Sequence, residues 1–188
     1  MFDNVRADSG RLTALNYRPA PWCVIESLLF ANGFQAVVLY RLARWFKLRR
    51  VPVLPPFLHR LTIFLTGVDI APGADIGPGL LVSHGVGLVV GGYARIGRDC
   101  LLMHQVTIGA PSGSRLQQMP TLGDHVAVAA GAKVIGPVTV GDHVFIGADA
   151  LVTRDVPANS KVTAERSIQI ATRTPAELPP AVVSADAS

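Results

Sequence analysis

The sequence predicts a parallel β-solenoid of six-residue units, preceded by a small α-helical region. Three observations carry this. An aliphatic residue recurs with a period of six through the middle of the chain. The residue after it is small. Upstream of Gly67 the apolar spacing is helical instead. The aliphatic series is Ile70, Ile76, Val82, Leu88, Ile96, Leu102, Ile108, Leu122, Val128, Val134, Val140, Ile146 and Val152. Gly or Ala follows at Ala71, Gly77, Gly97, Gly109, Gly123, Ala129, Gly141 and Gly147. Alternation alone indicates ordinary strands, but a fixed period over this many units indicates a stacked repeat. Three short strands close one coil of about eighteen residues, and stacked coils bury a continuous apolar column.

Taken in order, residues 1–20 read as irregular. Pro21 to Lys47 reads as helix with a break at Asn32-Gly33, because Val37, Val38, Leu42, Trp45 and Phe46 keep a helical period. Pro52, Pro55 and Pro56 interrupt it, and Phe57 to Leu65 forms a second short helix ended by Gly67. The expected division is a helical region over 1–66, the solenoid over 67–157 and a tail over 158–188. The tail is Pro- and Ala-rich from Thr172 and is expected to be disordered. Two intervals exceed the period. Leu88 to Ile96 holds two extra residues, and Ile108 to Leu122 holds a polar segment, 110–119, that reads as an extruded loop. The fifth position of each unit, including Val86, Cys100 and Val106, is mostly small or aliphatic.

Composition narrows the class. Hydrophobic residues make up 49% of 188, enough for a packed core. Two cysteines, Cys23 and Cys100, build no disulfide framework. The first residues contain no apolar signal segment, so a cytoplasmic location is expected. No acidic residue lies between Glu26 and Asp69, yet Arg41, Arg44, Lys47, Arg49, Arg50 and Arg60 do. Two readings follow: a helical cap with a solvated basic face, which is favoured, or a peripheral membrane contact. Nucleic acid is not expected, because no reading motif or interleaved aromatic pattern accompanies the charges.

Few ionisable residues lie inside the repeat. His84 and His104 each hold the third position of a unit and are expected to stack on one face; His125 and His143 each sit in Gly-Asp-His-Val, one coil apart, at solvent-facing corners. Gamma-class carbonic anhydrases use such a solenoid for zinc, but their late pair of histidines five apart is missing here, so no metal is expected.

Gly67-Val-Asp-Ile-Ala-Pro-Gly-Ala-Asp-Ile-Gly77 with Leu81-Val-Ser-His-Gly-Val-Gly-Leu-Val-Val-Gly-Gly92 resembles the signature of bacterial serine acetyltransferases. Gly33 to Trp45, Val106-Thr-Ile-Gly109 and Ala129 to Gly136 extend the likeness over roughly 18–157. The resemblance implies a left-handed parallel β-helix, an acetyl-CoA-dependent O-acetyltransferase and a homotrimer with the thioester lying between subunits. It implies Asp69 and His84 as the catalytic dyad, Gly109 and Ala110 at the oxyanion, and Ala130, Lys133 and Ala148 along the coenzyme. Residues expected to meet the acceptor are Arg18, Ser83, His104, Gln118 and Met119; His104 is read as a second acid/base, an acceptor contact or a stacking residue. The dyad is chemically apt, since transfer to an alcohol needs a base for the hydroxyl proton and a carboxylate to orient and stabilise the imidazolium.

The departures concern the acceptor. The family pattern has Asp-Pro at Arg18-Pro19, Asp at Ser83, Arg-His at Gln118-Met119, Glu at Gly92 and Gln at His104, and its C-terminal Gly-x-Pro-Ala piece is missing near Ala164. Losing paired charges from a site for a zwitterion costs on the order of several kcal/mol. The expectation is therefore a small hydroxyl acceptor other than serine, such as a sugar or a biosynthetic intermediate. The alternatives are a true serine O-acetyltransferase of cysteine biosynthesis and a non-catalytic β-helix scaffold.

Overall fold

In the computed structural model, which describes residues 2–16 and 20–164, four helices precede a stack of parallel coils. Arg18 and the tail beyond Ala164 lie outside the described residues. The helices are α1 (Phe2–Asn16), α2 (Ala20–Phe30), α3 (Asn32–Leu48) and α4 (Leu54–Thr66). The first corrects the irregular reading of residues 1–20. Its sequence has a weak apolar face, and contacts with α2 and α3 hold it. The second helix expected at Phe57 begins earlier, at Leu54, because Pro55 and Pro56 occupy its first turn, where a missing N–H costs nothing. Gly67 ends it at φ 69° and donates its N–H to Ile63 O.

Three parallel sheets form the walls. One stacks β1 (Asp69–Ile70), β4 (Val89–Val90), β7 (Thr107–Gly109), β10 (Lys133–Ile135) and β13 (Leu151–Val152). The next stacks β2 (Asp75–Ile76), β5 (Arg95–Ile96), β8 (Thr121–Leu122) and β11 (Thr139–Val140). The third stacks β3 (Leu81–Ser83), β6 (Leu101–Met103), β9 (Ala127–Val128), β12 (Phe145–Ile146) and β14 (Lys161–Val162). In each strand from β1 to β13 one aliphatic points inward and is buried. Each contributes about 1.5–3 kcal/mol by leaving water. The small residue at the following corner is required by close approach. A Cβ at Gly77 would lie 2.7 Å from the backbone carbon of Gly97 in the next coil.

The register relocates the two-residue insertion. Asp69 pairs with Val89, Asp75 with Arg95 and Leu81 with Leu101, each twenty residues apart. Val89 then pairs with Thr107, eighteen apart. The extra residues therefore lie between Ser83 and Val89, not between Leu88 and Ile96. Val90 is the inward member stacked on Ile70, and Leu88 fills the buried pre-strand position expected of Val86, which is 59% exposed. Leu88, Val89 and Val90 are all aliphatic, so pattern alone could not separate the two frames.

The basic segment divides: Lys47, Arg49, Arg50 and Arg60 are exposed, as a solvated face requires, and Arg41 and Arg44 are drawn into the fold. Arg41 is buried rather than solvated. Its Nε lies 3.0 Å from Asp8 Oδ2, and its terminal nitrogens donate to Ile76 O and Gly77 O, both at 2.6 Å. Arg44 donates to Ala74 O at 2.6 Å and pairs with Asp75. Tyr40 Oη donates to Ala74 O at 2.8 Å, and Asp8 Oδ1 accepts from Leu80 N at 2.8 Å. Among the described residues no helix is long and apolar enough to cross a membrane.

Breaking the buried ion pair leaves one charge uncompensated. Arg41→Ala is expected to lower unfolding stability by about 3–5 kcal/mol, read as a shifted urea midpoint. Burial pushes the Cys100 thiol up to about 11. The folded protein at pH 8 is therefore expected to leave Cys100 unalkylated by iodoacetamide in peptide mapping, while the urea-unfolded chain reacts there.

Candidate active site

The two-residue expansion makes a wide corner, 84–88, between β3 and β4. His84 opens it in the left-handed region, at φ 52°, and is exposed. Asp69 sits beside its other end, donating its N–H to Leu88 O at 2.8 Å. Gly87 N bonds Gly67 O at 2.8 Å, tying the corner to the chain just before β1. The corner is packed from below. A Cβ at Gly85 would meet Val68 and Val82 side chains at 2.7 Å, and one at Gly33 on α3 would overlap the Val82 carbonyl. Sequence fixes these approaches, because both positions are glycine.

The Asp69 carboxylate has a partner that sequence reasoning missed. His59 Nε2 on α4 lies 2.7 Å from Asp69 Oδ1. Among the described residues no hydrogen bond joins Asp69 to His84. A signal existed in the helix: His59, Thr62 and Thr66 share one face, and Thr62 and Thr66 are buried. His59 also lines a groove of about 350 Å³ with Lys47, Arg50, Val51 and four prolines.

His104 leaves β6 in register with His84, since Ser83 pairs with Met103. The expected stack ends there, because the corner after β6 is two residues shorter and puts Gln105, not His104, at positive φ. His104 Nδ1 is buried without a hydrogen-bond partner among the described residues. The imidazoles that do stack are His125 and His143, with centroids 4.7 Å apart and planes within 9°. Both are exposed and at positive φ, 58° and 57°. Their corners need a left-handed residue, which His, Asn and Asp accept more readily than most. The adjoining Asp124 and Asp142 accept backbone N–H groups of Arg98 and Asp124, both at 2.8 Å.

The extruded loop carries a short helical turn at Gly113–Arg115 and bounds, with Tyr93, a groove of about 440 Å³. Gln118 is exposed. Met119 folds back onto the coils, accepting the Tyr93 N–H at Sδ and covering Gly91 so closely that a Cβ there would overlap it. Gly109 ends β7, its carbonyl held by Gly136 N at 3.0 Å, and Ala110 begins the loop. Ala130 and Ala148 occupy neighbouring coils, where Asp149 N donates to Ala130 O at 2.9 Å. Lys133 turns its ammonium to Gly131 O at 3.0 Å. Ser83 ends β3, half-buried.

Comparison with known proteins gives the following. Residues 119–154 match the family model described as bacterial transferase hexapeptide (six repeats). A serine acetyltransferase of Synechococcus elongatus is 44% identical over 144 residues, covering 77% of this chain and 59% of the relative. One of Helicobacter pylori is 42% identical over 142 residues, covering 76% of this chain and 83% of the relative. Among solved structures, Neisseria gonorrhoeae serine acetyltransferase in complex with serine superposes with a TM-score of 0.75 at 32% identity, over 86% of this chain and 66% of that one. Brucella abortus serine acetyltransferase in complex with coenzyme A gives a TM-score of 0.76 at 29% identity, over 87% and 65%.

If His143 is retained for its corner, His143→Gly and His143→Asn should leave the thermal midpoint close to wild type. His143→Val should cost about 1–2 kcal/mol, read by calorimetry.

Proposed function

The chain belongs to the serine acetyltransferase family, and on that premise we propose that it transfers the acetyl group of acetyl-CoA to the side-chain hydroxyl of serine. The observation that carries the reading is the placement of His84 and Asp69 at opposite ends of one expanded corner, on a fold whose relatives bear this activity in their names. A solved neighbour holding serine and another holding coenzyme A support both substrates.

In this reading His84 takes the hydroxyl proton as the serine oxygen attacks the thioester carbonyl. Asp69 orients the imidazole and offsets its charge once it is protonated. The tetrahedral oxyanion needs N–H donors, and the backbone at Gly109-Ala110 lies where the loop leaves the coil. Collapse breaks the carbon–sulfur bond, and the imidazolium returns its proton to the departing CoA thiolate. The small side chains of Ala130 and Ala148 leave room for the pantetheine arm, with Lys133 beside them. A trimer would complete the site between neighbouring subunits.

One observation favours a second acceptor class. Met119 lies against Gly91 where a zwitterion-binding family member carries charge nearby, and Ser83 and Gln118 supply none. A sugar or other neutral alcohol suits such a surface. The relatives weigh more heavily for serine, so the earlier expectation of a different acceptor becomes the second reading.

Thiol release from acetyl-CoA, measured with serine and with a panel of small alcohols, separates the two. Serine is expected to give the highest kcat/KM, and His84→Asn, which keeps a residue tolerant of positive φ, is expected to lower kcat by about 10²–10⁴. A different alcohol outcompeting serine would move the assignment to the second reading.

A further inference from the structure

We propose that His59 is a positioning residue for this transfer: its imidazole holds the Asp69 carboxylate in the orientation from which it serves His84. This rests on the reading of Asp69 and His84 as the transfer dyad. The Nε2···Oδ1 distance is 2.7 Å, and the side chains are 25% and 42% exposed. A carboxylate at neutral pH only accepts, so Nε2 carries the proton in this bond. One carboxylate oxygen is thereby committed to α4. In this proposal the other, Oδ2, is the one left to serve His84, which opens the corner whose far end Asp69 adjoins.

The support for His59 is rigid. Leu58, Thr62 and Thr66 are buried along α4, and the Thr62 and Thr66 hydroxyls donate back to Leu58 O and Thr62 O at 2.8 and 2.7 Å. Val68 N closes the junction by donating to Thr66 Oγ1 at 3.2 Å. With Gly67 turning the chain between helix and strand, Asp69 runs back beside the helix that carries its partner. A carboxylate on a two-residue strand gains a fixed rotamer from such a bond, and a small error in the placement of a catalytic group costs rate rather than substrate binding.

The test separates positioning from mere anchoring. His59→Ala is expected to lower kcat for serine acetylation about 10–100-fold, with KM for acetyl-CoA within about twofold. His59→Gln, whose side-chain amide presents an N–H at a similar reach, is expected to restore kcat to within about threefold of wild type. In the Asp69→Asn background, His59→Ala should cost nothing further, because the two residues act as one unit. A purely structural role would instead shift the thermal midpoint, leave kcat per folded enzyme unchanged and show no rescue. That pattern, alongside loss of activity in His84→Asn, would overturn the proposal and leave the function standing. Imidazole NMR of the full chain reads the bond apart from turnover. A protected Nε2–H signal from His59 that disappears in Asp69→Ala, which removes the acceptor, is expected. Its absence would overturn the proposal whether or not serine is acetylated. Its presence in a protein that acetylates no serine would retire the acceptor assignment alone, and the same variants would then be compared on the alcohol that is turned over.

Discussion

A parallel solenoid has a first coil with nothing beneath it, and the treatment of that exposed edge governs the rest of this molecule. The carbonyls of Ala74, Ile76 and Gly77 would otherwise face an apolar helix without partners. Tyr40 and Arg41, on one turn of α3, and Arg44, on the next, donate to them. Asp8 of α1 neutralises Arg41 and accepts the Leu80 N–H, so two helices and two corners meet in one buried polar cluster. Arginine suits this task because its planar fork presents several donors at once while staying charged. Two of the basic residues that composition assigns to a surface, Arg41 and Arg44, are instead the joint between cap and column.

Fixing the first coil fixes where the wide corner falls. The ladder runs in register from β1 through β3, and the two surplus residues are expelled between β3 and β4, where Gly33 and Gly85 allow α3 and the corner to approach. His84 thereby opens the expanded corner, unlike His125 and His143, which share its left-handed backbone but sit in corners of ordinary length. Backbone conformation does not distinguish the three histidines. Their distance from Asp69 along the coils does.

Much of the candidate site was legible because it is local. Asp69, His84, the loop after Gly109 and the small-residue corners are each marked by a short stretch with a recognisable spacing. His59 was not, because a histidine in an apolar helix has no periodic signature and its partner arrives from the next element. Met119 was legible as a substitution but not as a cover for Gly91, which depends on how the loop folds back. The buried Nδ1 of His104, without a hydrogen-bond partner among the described residues, likewise depends on packing that the sequence does not display.

The sequence by itself determined the column: period, inward aliphatics, corner glycines and extruded loop are one-dimensional facts, since each coil repeats the same steric requirement. Tertiary structure alone decided the frame at Leu88-Val89-Val90, the burial of Arg41 and the bond from His59 to Asp69. The reason is physical. Where three consecutive aliphatics can each point inward, only the register of the neighbouring coil selects one. Where a polar side chain has several possible partners, only the packing of helix on coil brings one within hydrogen-bonding distance.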